Sequence, residues 1–370
     1  MKQKLAIIGA SYLQLPLVLK AKEFGIETHC FAWEEGAVCK DYCDFFHPVS
    51  VVDKEAILKI CMEHQIDGIT SIASDVAVNT VCYVAQHAGL ISNSIESATC
   101  STNKFLMRQK MMDNQVQCPK FALINGKESI HNFLFPLIVK PTDRSGSLGV
   151  QKVWTSDELE NAIQRASDES FTGNVIVEEF IEGDEVSVES ISWEGTHYVL
   201  AITDKVTTGE PYFVELEHHQ PSALPEEIQE RIKTETIKTL DALGVKYGAS
   251  HAEFKITKKG DVYAIETGAR MGGDFIGSDL VYFSTDYDFL KAVIDVAFGV
   301  FQTPETTNTK CSGVYFLSEE TKRLLPVLKN STNFEYIRRS EIQDENLKLI
   351  RCSADRSGYL IYQSDKKILL

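Results

Sequence analysis

The segment that decides the fold covers residues 249–266 and has the sequence ASHAEFKITKKGDVYAIE. Apolar and polar residues alternate on both sides of a polar, glycine-containing centre, which predicts two antiparallel strands joined by a tight turn. If Lys259 and Gly260 form a two-residue turn, Glu253 and Glu266 are equally far from it and face each other across the hairpin. Directly opposed side chains lie about 4.5–5.5 Å apart at Cβ, and like charges there repel.

A shared divalent cation would keep two opposed carboxylates side by side, and carboxylates together with phosphate oxygens suit Mg²⁺. The alternative is a solvated polar face on which the two carboxylates point apart. A turn of three or five residues would also change which residues face each other. The hairpin therefore predicts a metal site at Glu253 and Glu266, with an ordinary polar hairpin as the alternative.

Length and composition indicate an ordinary globular protein of more than one domain. The chain has 370 residues, 44% of them apolar and 24% charged, which predicts two or three packed units and excludes a disordered or coiled-coil protein. Lys and Arg number 37 against 53 Asp and Glu, giving a net charge of −16. This balance argues against a nucleic-acid binder, whose affinity would depend on a basic surface. A protein that handles small ligands fits better.

Two further features predict a cytoplasmic protein. No apolar run approaches the roughly 20 residues needed to cross a bilayer, and the N-terminal apolar stretch is too short for a signal-peptide core. The nine cysteines are odd in number, widely scattered and without a C-x-x-C pair. This usage indicates reduced structural thiols rather than a disulfide or metal framework.

The first hundred residues alternate short apolar runs with amphipathic stretches. Buried parallel strands are predicted at residues 5–8, 28–31 and 68–72, with helices at 13–24 and 54–64. This alternation is typical of a doubly wound α/β unit. The first strand ends at Gly9, but the other glycines of the G-x-G-x-x-G dinucleotide fingerprint are missing. We therefore expect a Rossmann-like scaffold that does not hold NAD.

The chain beyond residue 102 has a different organisation. A helix is predicted over residues 102–114, followed by strands at 135–140, 150–154, 174–180, 185–192 and 197–203. A capping box between Thr155 and Glu158 begins one helix, and another runs from near Pro225 to Gly244. Strands mixed with helices predict an α+β domain, and the residues after 301 are predicted to form a small closing subdomain.

An apolar strand ends at Lys140 and leads into a loop of small residues that contains Gly146 and Gly149. Glycines let backbone N–H groups converge on an anion, and Lys140 would add a positive charge to the same phosphate. The segment is not a G-x-x-x-x-G-K-[ST] loop, because no G-K-[ST] follows and the next element is a strand. An ordinary Gly/Ser turn is the alternative.

Two more segments place charged residues beside glycines. Residues 175–185 form an apolar strand that continues into acidic residues, which is also the pattern of a strand with a polar end. Arg270 follows Glu266 in a glycine-containing loop, where it could bind a carboxylate or phosphate through two parallel hydrogen bonds. A surface arginine on a flexible loop is the alternative.

Taken in order, these four segments resemble the ATP-grasp superfamily, which comprises carboxylate–amine and carboxylate–thiol ligases, biotin carboxylase and the carbamoyl-phosphate synthase large subunit. The resemblance covers residues 1–300 and is of the carboxylate–amine ligase type. It implies a Rossmann-like domain over residues 1–102, an ATP-grasp domain over 103–300 and a C-terminal subdomain over 301–370. Within the ATP-grasp domain it implies a nucleotide-lid part at 103–182 and a metal and substrate part at 183–300.

The resemblance also implies which residues bind ATP. Two lysines and a Ser-Gly-Ser loop would hold the phosphates, residues 178–181 the adenine ring, and one glutamate the ribose. The implied nucleotide-binding residues are Lys104, Lys140, Ser145, Gly146, Ser147, Glu178, Glu179, Phe180, Ile181 and Glu185.

The metal and catalytic residues are implied in the same way. Glu253 and Glu266 match the family's two Mg²⁺ ligands, with Mn²⁺ as an alternative ion. Arg270 matches the arginine that steadies an acyl-phosphate. Arg270 and Lys140 are the two implied catalytic residues. One position departs from the family, because Thr267 follows the second glutamate where asparagine is common. A threonine hydroxyl or a water would then have to complete a second ion's ligands.

The implied activity is that of an ATP-dependent ligase, which activates a small-molecule carboxylate as an acyl-phosphate for attack by an amine, amino-acid ligation being one case. ADP and phosphate are released. A bicarbonate-using carboxylase or carbamoyl-phosphate-synthase-type enzyme is the alternative within the family, and a non-catalytic ATP-binding module or a dinucleotide-dependent oxidoreductase is the alternative outside it. The expected partners are the small-molecule substrates and a second copy of the chain, with neither nucleic acid nor membrane.

The sequence indicates fewer residues for the substrate than for the nucleotide. Arg270 and His219 are the candidates, because His219 and its neighbour His218 lie in segment 215–222, which is similar to acceptor-pocket segments of amino-acid-ligating relatives. An ordinary exposed loop histidine is the alternative. Asp75 follows the strand at 68–72 and is expected to be a helix N-cap, with substrate contact as the alternative because a doubly wound sheet places ligands there.

Overall fold

A computed structural model describes residues 2–124, 132–307 and 310–370. Its first part is a four-stranded parallel sheet with the strand order β3-β2-β1-β4. Helix α2 coincides with the predicted helix at 54–64, whereas the three-residue strand β3 is too short to have produced a pattern. The elements of this part are β1 (Lys4–Ile8), α1 (Leu15–Glu23), β2 (Glu27–Phe31), β3 (Phe45–His47), α2 (Lys54–His64), β4 (Gly68–Thr70), α3 (Asp75–Ala88) and α4 (Ile95–Thr102).

A second four-stranded sheet follows, antiparallel throughout, with the order β5-β8-β6-β7. The predicted capping box is not formed, because the Thr155 side chain makes no cap hydrogen bond, although Glu158 accepts one from the Trp154 amide at 2.7 Å. The elements are α5 (Lys104–Asp113), β5 (Phe121–Ile124), β6 (Leu137–Pro141), β7 (Gln151–Val153), α6 (Ser156–Glu169) and β8 (Val175–Glu179).

The largest element is an eight-stranded antiparallel sheet with the order β13-β12-β9-β10-β11-β14-β16-β15. Its strands are β9 (Asp184–Trp193), β10 (Thr196–Thr207), β11 (Glu215–Gln220), β12 (Gly248–Ile256), β13 (Val262–Gly268), β14 (Cys311–Leu317), β15 (Ile337–Ile342) and β16 (Gly358–Ser364). The helices around it are α7 (Glu226–Ala242), α8 (Val281–Thr285), α9 (Phe289–Phe298) and α10 (Leu325–Lys329). Strands β14–β16 belong to the predicted C-terminal subdomain, yet they continue the same sheet.

The two faces of this sheet have different tasks. Residues 252 and 254 on β12, together with 186 and 188 on β9, pack against apolar residues of α7 and α5. Because side chains alternate along a strand, the residues between them point to the opposite face. The alternation therefore directs Glu253 and its neighbours His251 and Lys255 away from the core.

Helix α9 joins the first and the last of these parts. The first sheet buries Leu5 and Ile7 on one face against α1 and α9, and Ala6 and Ile8 on the other against α2 and α3. A helix from residues 289–298 thus completes the core of a unit predicted to end at residue 102. Within the described residues, no helix is both long and apolar enough to cross a bilayer.

A close backbone approach at the turn between β8 and β9 gives a test of the packing. A Cβ added to Gly183 would lie 2.1 Å from the Ile256 carbonyl oxygen, whereas one added to Gly273 would meet nothing nearer than 3.6 Å. We expect Gly183→Ala to lower the free energy of unfolding by about 1–3 kcal/mol, the usual cost of overpacking. Gly273→Ala is the matched control, and urea unfolding measures both. Equal stability of the two variants would contradict this packing.

Candidate active site

The hairpin of β12 and β13 places Glu253 directly opposite Glu266, as predicted. The predicted two-residue turn is wrong. The strands end at Ile256 and resume at Val262, and the five-residue loop between them is closed by a hydrogen bond from the Thr257 amide to the Asp261 carbonyl at 3.0 Å. A β-bulge between Glu253 and Phe254 shifts the register by one residue and so brings the two glutamates back into opposition.

Each of these glutamates is neutralised by its own lysine. Lys104 Nζ lies 2.7 Å from Glu266 Oε1, and Lys205 Nζ lies 2.7 Å from Glu253 Oε1. The Asn103 side chain caps helix α5 by accepting from the amides of residues 105 and 106, which fixes Lys104 as the first helical residue. The opposed acids therefore have positive charge beside them, as like-charged neighbours require.

Lys205 holds three carboxylates together. Its Nζ lies 2.7 Å from Glu185 as well as from Glu253, and 3.5 Å from Glu215, while only 3% of its side chain is exposed. Burial alone would lower the pKa of Lys205, but the three acids raise it well above its usual value. Lys205 also pairs in register with Glu185 across β9 and β10, so the sheet itself sets this contact.

A second buried charge cluster lies at the sheet β5-β8-β6-β7, which we name the lid sheet after the predicted nucleotide-lid part. Glu178 is buried, with Oε2 2.8 Å from Lys140 Nζ and Oε1 2.8 Å from Arg108 Nε. Burial alone would raise the pKa of Glu178, but Arg108 and Lys140 together lower it below its usual value. The carboxyl therefore stays ionised. Burial lowers the pKa of Lys140 more than Glu178 raises it.

One cleft of about 1,160 Å³, its open mouth included, collects these groups. Gly146 and Ser147 in the small-residue loop both have positive φ, and the loop lines the cleft wall. The predicted nucleotide, metal and catalytic residues that line the cleft are Lys104, Lys140, Ser145, Gly146, Ser147, Glu178, Glu179, Phe180, Ile181, Glu185, Glu253, Glu266 and Arg270. The sequence segments that predicted a phosphate loop and a metal hairpin are thus brought to one place.

Arg270 connects the hairpin to the first unit. Its Nε and Nη2 each lie 2.9 Å from one oxygen of Asp75, which is the bidentate geometry expected of an arginine and a carboxylate. Burial would lower the pKa of Arg270, but Asp75 raises it above its usual value. Ser74 rather than Asp75 occupies the N-cap position of α3, so Asp75 is a cleft residue and not a cap.

Comparison with known proteins identifies the domain that carries this cleft. Residues 133–279 match the family model of the ATP-grasp domain. This segment is similar to an ATP-grasp domain. The resemblance drawn from the four sequence segments is confirmed, and the matched range contains both the small-residue loop and the hairpin.

Curated proteins similar to this chain include ligases. Alanine–anticapsin ligase from Bacillus subtilis (strain 168) is 27% identical over 272 residues, which are 63% of this chain and 57% of that protein. D-alanine–D-alanine ligase from Parabacteroides distasonis is 30% identical over 159 residues, which are 41% of this chain and 47% of that protein. The chain thus spans about half the length of these curated relatives.

Solved structures resemble nearly the whole chain. An L-amino acid ligase from Bacillus licheniformis matches with a TM-score of 0.83 and 22% identity, over 99% of this chain and 94% of that one. An N5-carboxyaminoimidazole synthetase from Staphylococcus aureus complexed with ADP matches with a TM-score of 0.80 and 14% identity, over 99% and 95%. At these identities the likeness shows the fold, which extends beyond the matched ATP-grasp segment.

The structure also places residues in the ATP-grasp cleft that the sequence did not reveal. His251 Nδ1 lies 2.5 Å from Glu189 Oε1, and its Nε2 lies 3.4 Å from Glu253 Oε1. The second Glu189 oxygen accepts from the Gly272 amide at 3.0 Å. Lys205 was missed for the same reason as His251, since each meets its partners only once the strands are in register. The alternation of β12, which places His251 on the same face as Glu253, was the available signal.

Three residues singled out in the sequence lie away from the cleft. His219 bonds to the Tyr362 hydroxyl at 2.9 Å and to Glu217 at 3.0 Å, and does not line the cleft. His218 points to the opposite face of β11, where it lies 3.5 Å from Asp274. Thr267 is fully buried and pairs with Ala252 on the core face, so its hydroxyl is not directed at Glu253 and Glu266. The next residue, Gly268, does line the cleft.

The His251–Glu189 pair makes a prediction about pH. Burial would lower the pKa of His251, but Glu189 and then Glu253 raise it to about 9. A raised folded-state pKa contributes stability that is fully present below the unfolded value of about 6.5 and is lost as the pH rises through about 9. We expect urea unfolding to show wild type losing up to about 3 kcal/mol more than His251→Gln across this window.

The matched control for this experiment is His87→Gln, because His87 is exposed and bonds only to the Tyr83 carbonyl of its own helix. It should follow wild type at every pH. Parallel pH profiles for wild type and His251→Gln would show that this pair does not carry the protonation described.

Proposed function

We propose that this protein is an ATP-dependent ligase that joins a carboxylate to an amine, with amino acids as the substrate class. The observation that carries the proposal is the opposed pair of Glu253 and Glu266 in a cleft that also holds lysines, a small-residue loop and Arg270. Acids for a metal ion, cations for phosphates and an arginine for an acyl-phosphate are the groups that phosphoryl transfer needs. The relatives named as alanine and D-alanine ligases support the substrate class.

The donor set of the hairpin fits a magnesium ion. Glu253 and Glu266 are both partly exposed, at 24% and 27% of their side chains, so an ion can reach their oxygens. Burial raises the pKa of Glu253, but Lys205 and His251 hold it well below its usual value, so this donor is ionised at neutral pH. Glu253 and Glu266 would hold the ion, which when bound supplies neutralising charge to phosphate oxygens.

The lid sheet and the loop beside it would bind the nucleotide. We assign Lys104, Lys140 and the loop 145–147 to the phosphates, and Glu185 to the ribose. Both oxygens of Glu178 already pair with cations, so its first task is to position Lys140. The backbone of Phe180 and Ile181, with Glu179 beside them, would then meet the adenine edge.

The reaction proceeds in two displacements. A carboxylate oxygen attacks the γ-phosphorus of ATP, the bond to ADP breaks, and an acyl-phosphate forms. An amine nitrogen then attacks the acyl carbon, phosphate leaves, and the nitrogen gives up a proton. The chain's own groups hold the reactants and offset charge, without a covalent bond to the protein. Asp75 holds Arg270 in place, and Arg270 would steady the acyl-phosphate from the rim of the hairpin.

We also propose that the chain divides into domains as the sequence predicts. The first unit would be a Rossmann-like domain at residues 1–102, followed by the lid part at 103–182, the metal and substrate part at 183–300 and the C-terminal subdomain at 301–370. Cytoplasmic location and a homodimer stay predictions.

The test of the function is ADP release by the full chain with ATP and Mg²⁺ over pairs of L- and D-amino acids, with bicarbonate and no-acceptor arms. We expect ADP to form only when a carboxylate and an amine are both present, with a peptide or amide product seen by mass spectrometry. ADP formation with bicarbonate alone would indicate carboxylase-type chemistry instead. Tight ATP binding without turnover in any arm would indicate a binding module.

The metal assignment predicts the behaviour of Glu266→Gln. This change removes one negative charge with little change in volume, so the chain should fold while ADP formation falls by at least about a hundred-fold. Glu160→Gln is the matched control, because Glu160 is exposed on the lid helix α6. Circular dichroism checks the fold of both variants. Normal turnover in Glu266→Gln would refute the metal assignment.

Lys140 provides a separate prediction about the nucleotide. Lys140→Ala removes the cation beside Glu178, and we expect the ATP dissociation constant to rise about 10- to 100-fold, the equivalent of one charged hydrogen bond. Lys110→Ala, on the exposed face of α5, is the control. Calorimetric titration with a non-hydrolysable ATP analogue measures both. An unchanged affinity in a folded Lys140→Ala variant would exclude Lys140 from the phosphate site.

A further inference from the structure

Three histidines meet on the first sheet, outside the cleft described above. They are His29 on β2, His47 on β3 and His64, the last residue of α2. Each histidine has one ring nitrogen that lies within 4.8 Å of a ring nitrogen of the other two. None of them lines the nucleotide cleft, so the ligase chemistry makes no use of them.

The fold gives a physical reason for this meeting. Strands β2 and β3 run parallel, with His29 paired to Phe45 and Phe31 paired to His47. Because alternate residues share a face, His29 and His47 are diagonal neighbours on one side of the sheet. That side is the one covered by α2, whose Ile57 and Cys61 pack with Phe31. The end of α2 therefore brings His64 over the other two rings.

A carboxylate orients the innermost ring. His29 Nε2 lies 3.1 Å from Glu27 Oε1, and His29 Nδ1 lies 3.1 Å from His47 Nε2. A carboxylate partner fixes the proton on one ring nitrogen and leaves the other free to act as a ligand, an arrangement common behind metal-bound histidines. Lys4 Nζ lies 3.9 Å from the same Glu27 oxygen and donates to the His64 carbonyl, so Glu27 also offsets the nearest positive charge.

Burial affects both the access to the rings and the protonation of His29 and His47. His29 is fully buried and the other two rings are half-buried, which leaves a path from solvent. Burial lowers the pKa of His29, despite its contact with Glu27, and lowers the pKa of His47 to about 4. Neutral imidazoles are the form in which histidine coordinates an ion.

We propose that His29, His47 and His64 bind one divalent transition-metal ion, Zn²⁺ first among them, with a water as the fourth ligand. Zn–N bonds of about 2.0–2.1 Å at tetrahedral angles place two ligand nitrogens about 3.3 Å apart, close to the 3.1 Å between His29 and His47. His64 approaches by a rotation of its half-buried ring. Imidazole donors suit Zn²⁺, Cu²⁺ and Ni²⁺, whereas Mg²⁺ prefers oxygen.

The ion would be structural. It would tie the three-residue edge strand β3 and the end of helix α2 to the buried strand β2. A ligand that binds the folded chain and not the unfolded chain raises the melting temperature as its concentration rises. Zinc should therefore stabilise this protein in a way that depends on the three rings.

The test uses the full chain, stripped with a chelator and titrated with Zn²⁺ against a chromophoric zinc chelator. Millimolar Mg²⁺ is present throughout to occupy oxygen ligands in the cleft. We expect one equivalent of Zn²⁺ to bind and to raise the melting temperature. Glu27→Gln should weaken binding about 10- to 100-fold, and His64→Gln should weaken it more. Co²⁺ in place of Zn²⁺ should give the visible absorption bands of a tetrahedral site in wild type and lose them in His64→Gln.

Controls locate the ion. His87→Gln, an exposed histidine on α3, should bind as wild type does, and so should Glu266→Gln in the cleft. His64 ends a helix and is half-buried, so His64→Gln decides the question even where His47→Gln fails to fold. The proposal is overturned if wild type binds no stoichiometric Zn²⁺, if His64→Gln binds with unchanged affinity, or if Glu266→Gln removes the binding.

Discussion

Two negative charges held opposite each other on neighbouring strands are the constraint on which the rest of the cleft depends. Glu253 and Glu266 would repel unless positive charge lay beside them, and the chain supplies it from two separate elements, Lys104 at the start of α5 and Lys205 on β10. The helix and the strand must therefore meet the hairpin for the hairpin to be stable. The same requirement assembles the wall of the cleft.

Each buried charge in and beside this cleft has a charge of opposite sign next to it. Glu178 lies between Arg108 and Lys140, and Asp75 holds Arg270 through both oxygens. Losing one member of such a group leaves its partner charged in a poor solvent, at a cost of about 3–5 kcal/mol. The residues that we propose to bind phosphate are thus also residues that hold the fold, so activity and stability must be measured together in every cleft variant.

The sequence predicted those features that depend on local patterns. An apolar run predicted the strand that ends near Lys140, and alternation predicted the strand that carries Glu253. The spacing of apolar residues predicted α2 to the residue. The facing pair was predicted through a wrong turn, because a longer loop and a β-bulge compensate each other, and neither leaves a signal in the pattern. Lys205, His251 and the Asp75–Arg270 pair were missed, because their partners lie on elements distant in the chain. The contribution of helix α9 to the first core was missed for the same reason.

The order of the first sheet separates Asp75 from the three histidines. Strand β3, which carries His47, is one edge of that sheet, and β4, which precedes Asp75, is the other. Asp75 reaches Arg270 in the cleft, whereas the histidines lie at the opposite edge under the end of α2. Strand β1, which is buried apart from partial exposure at its first residue, lies between β2 and β4 and so separates the histidines from Asp75. An ion at the histidines would therefore act on the stability of the first unit, whereas Asp75 connects this unit to the cleft through Arg270.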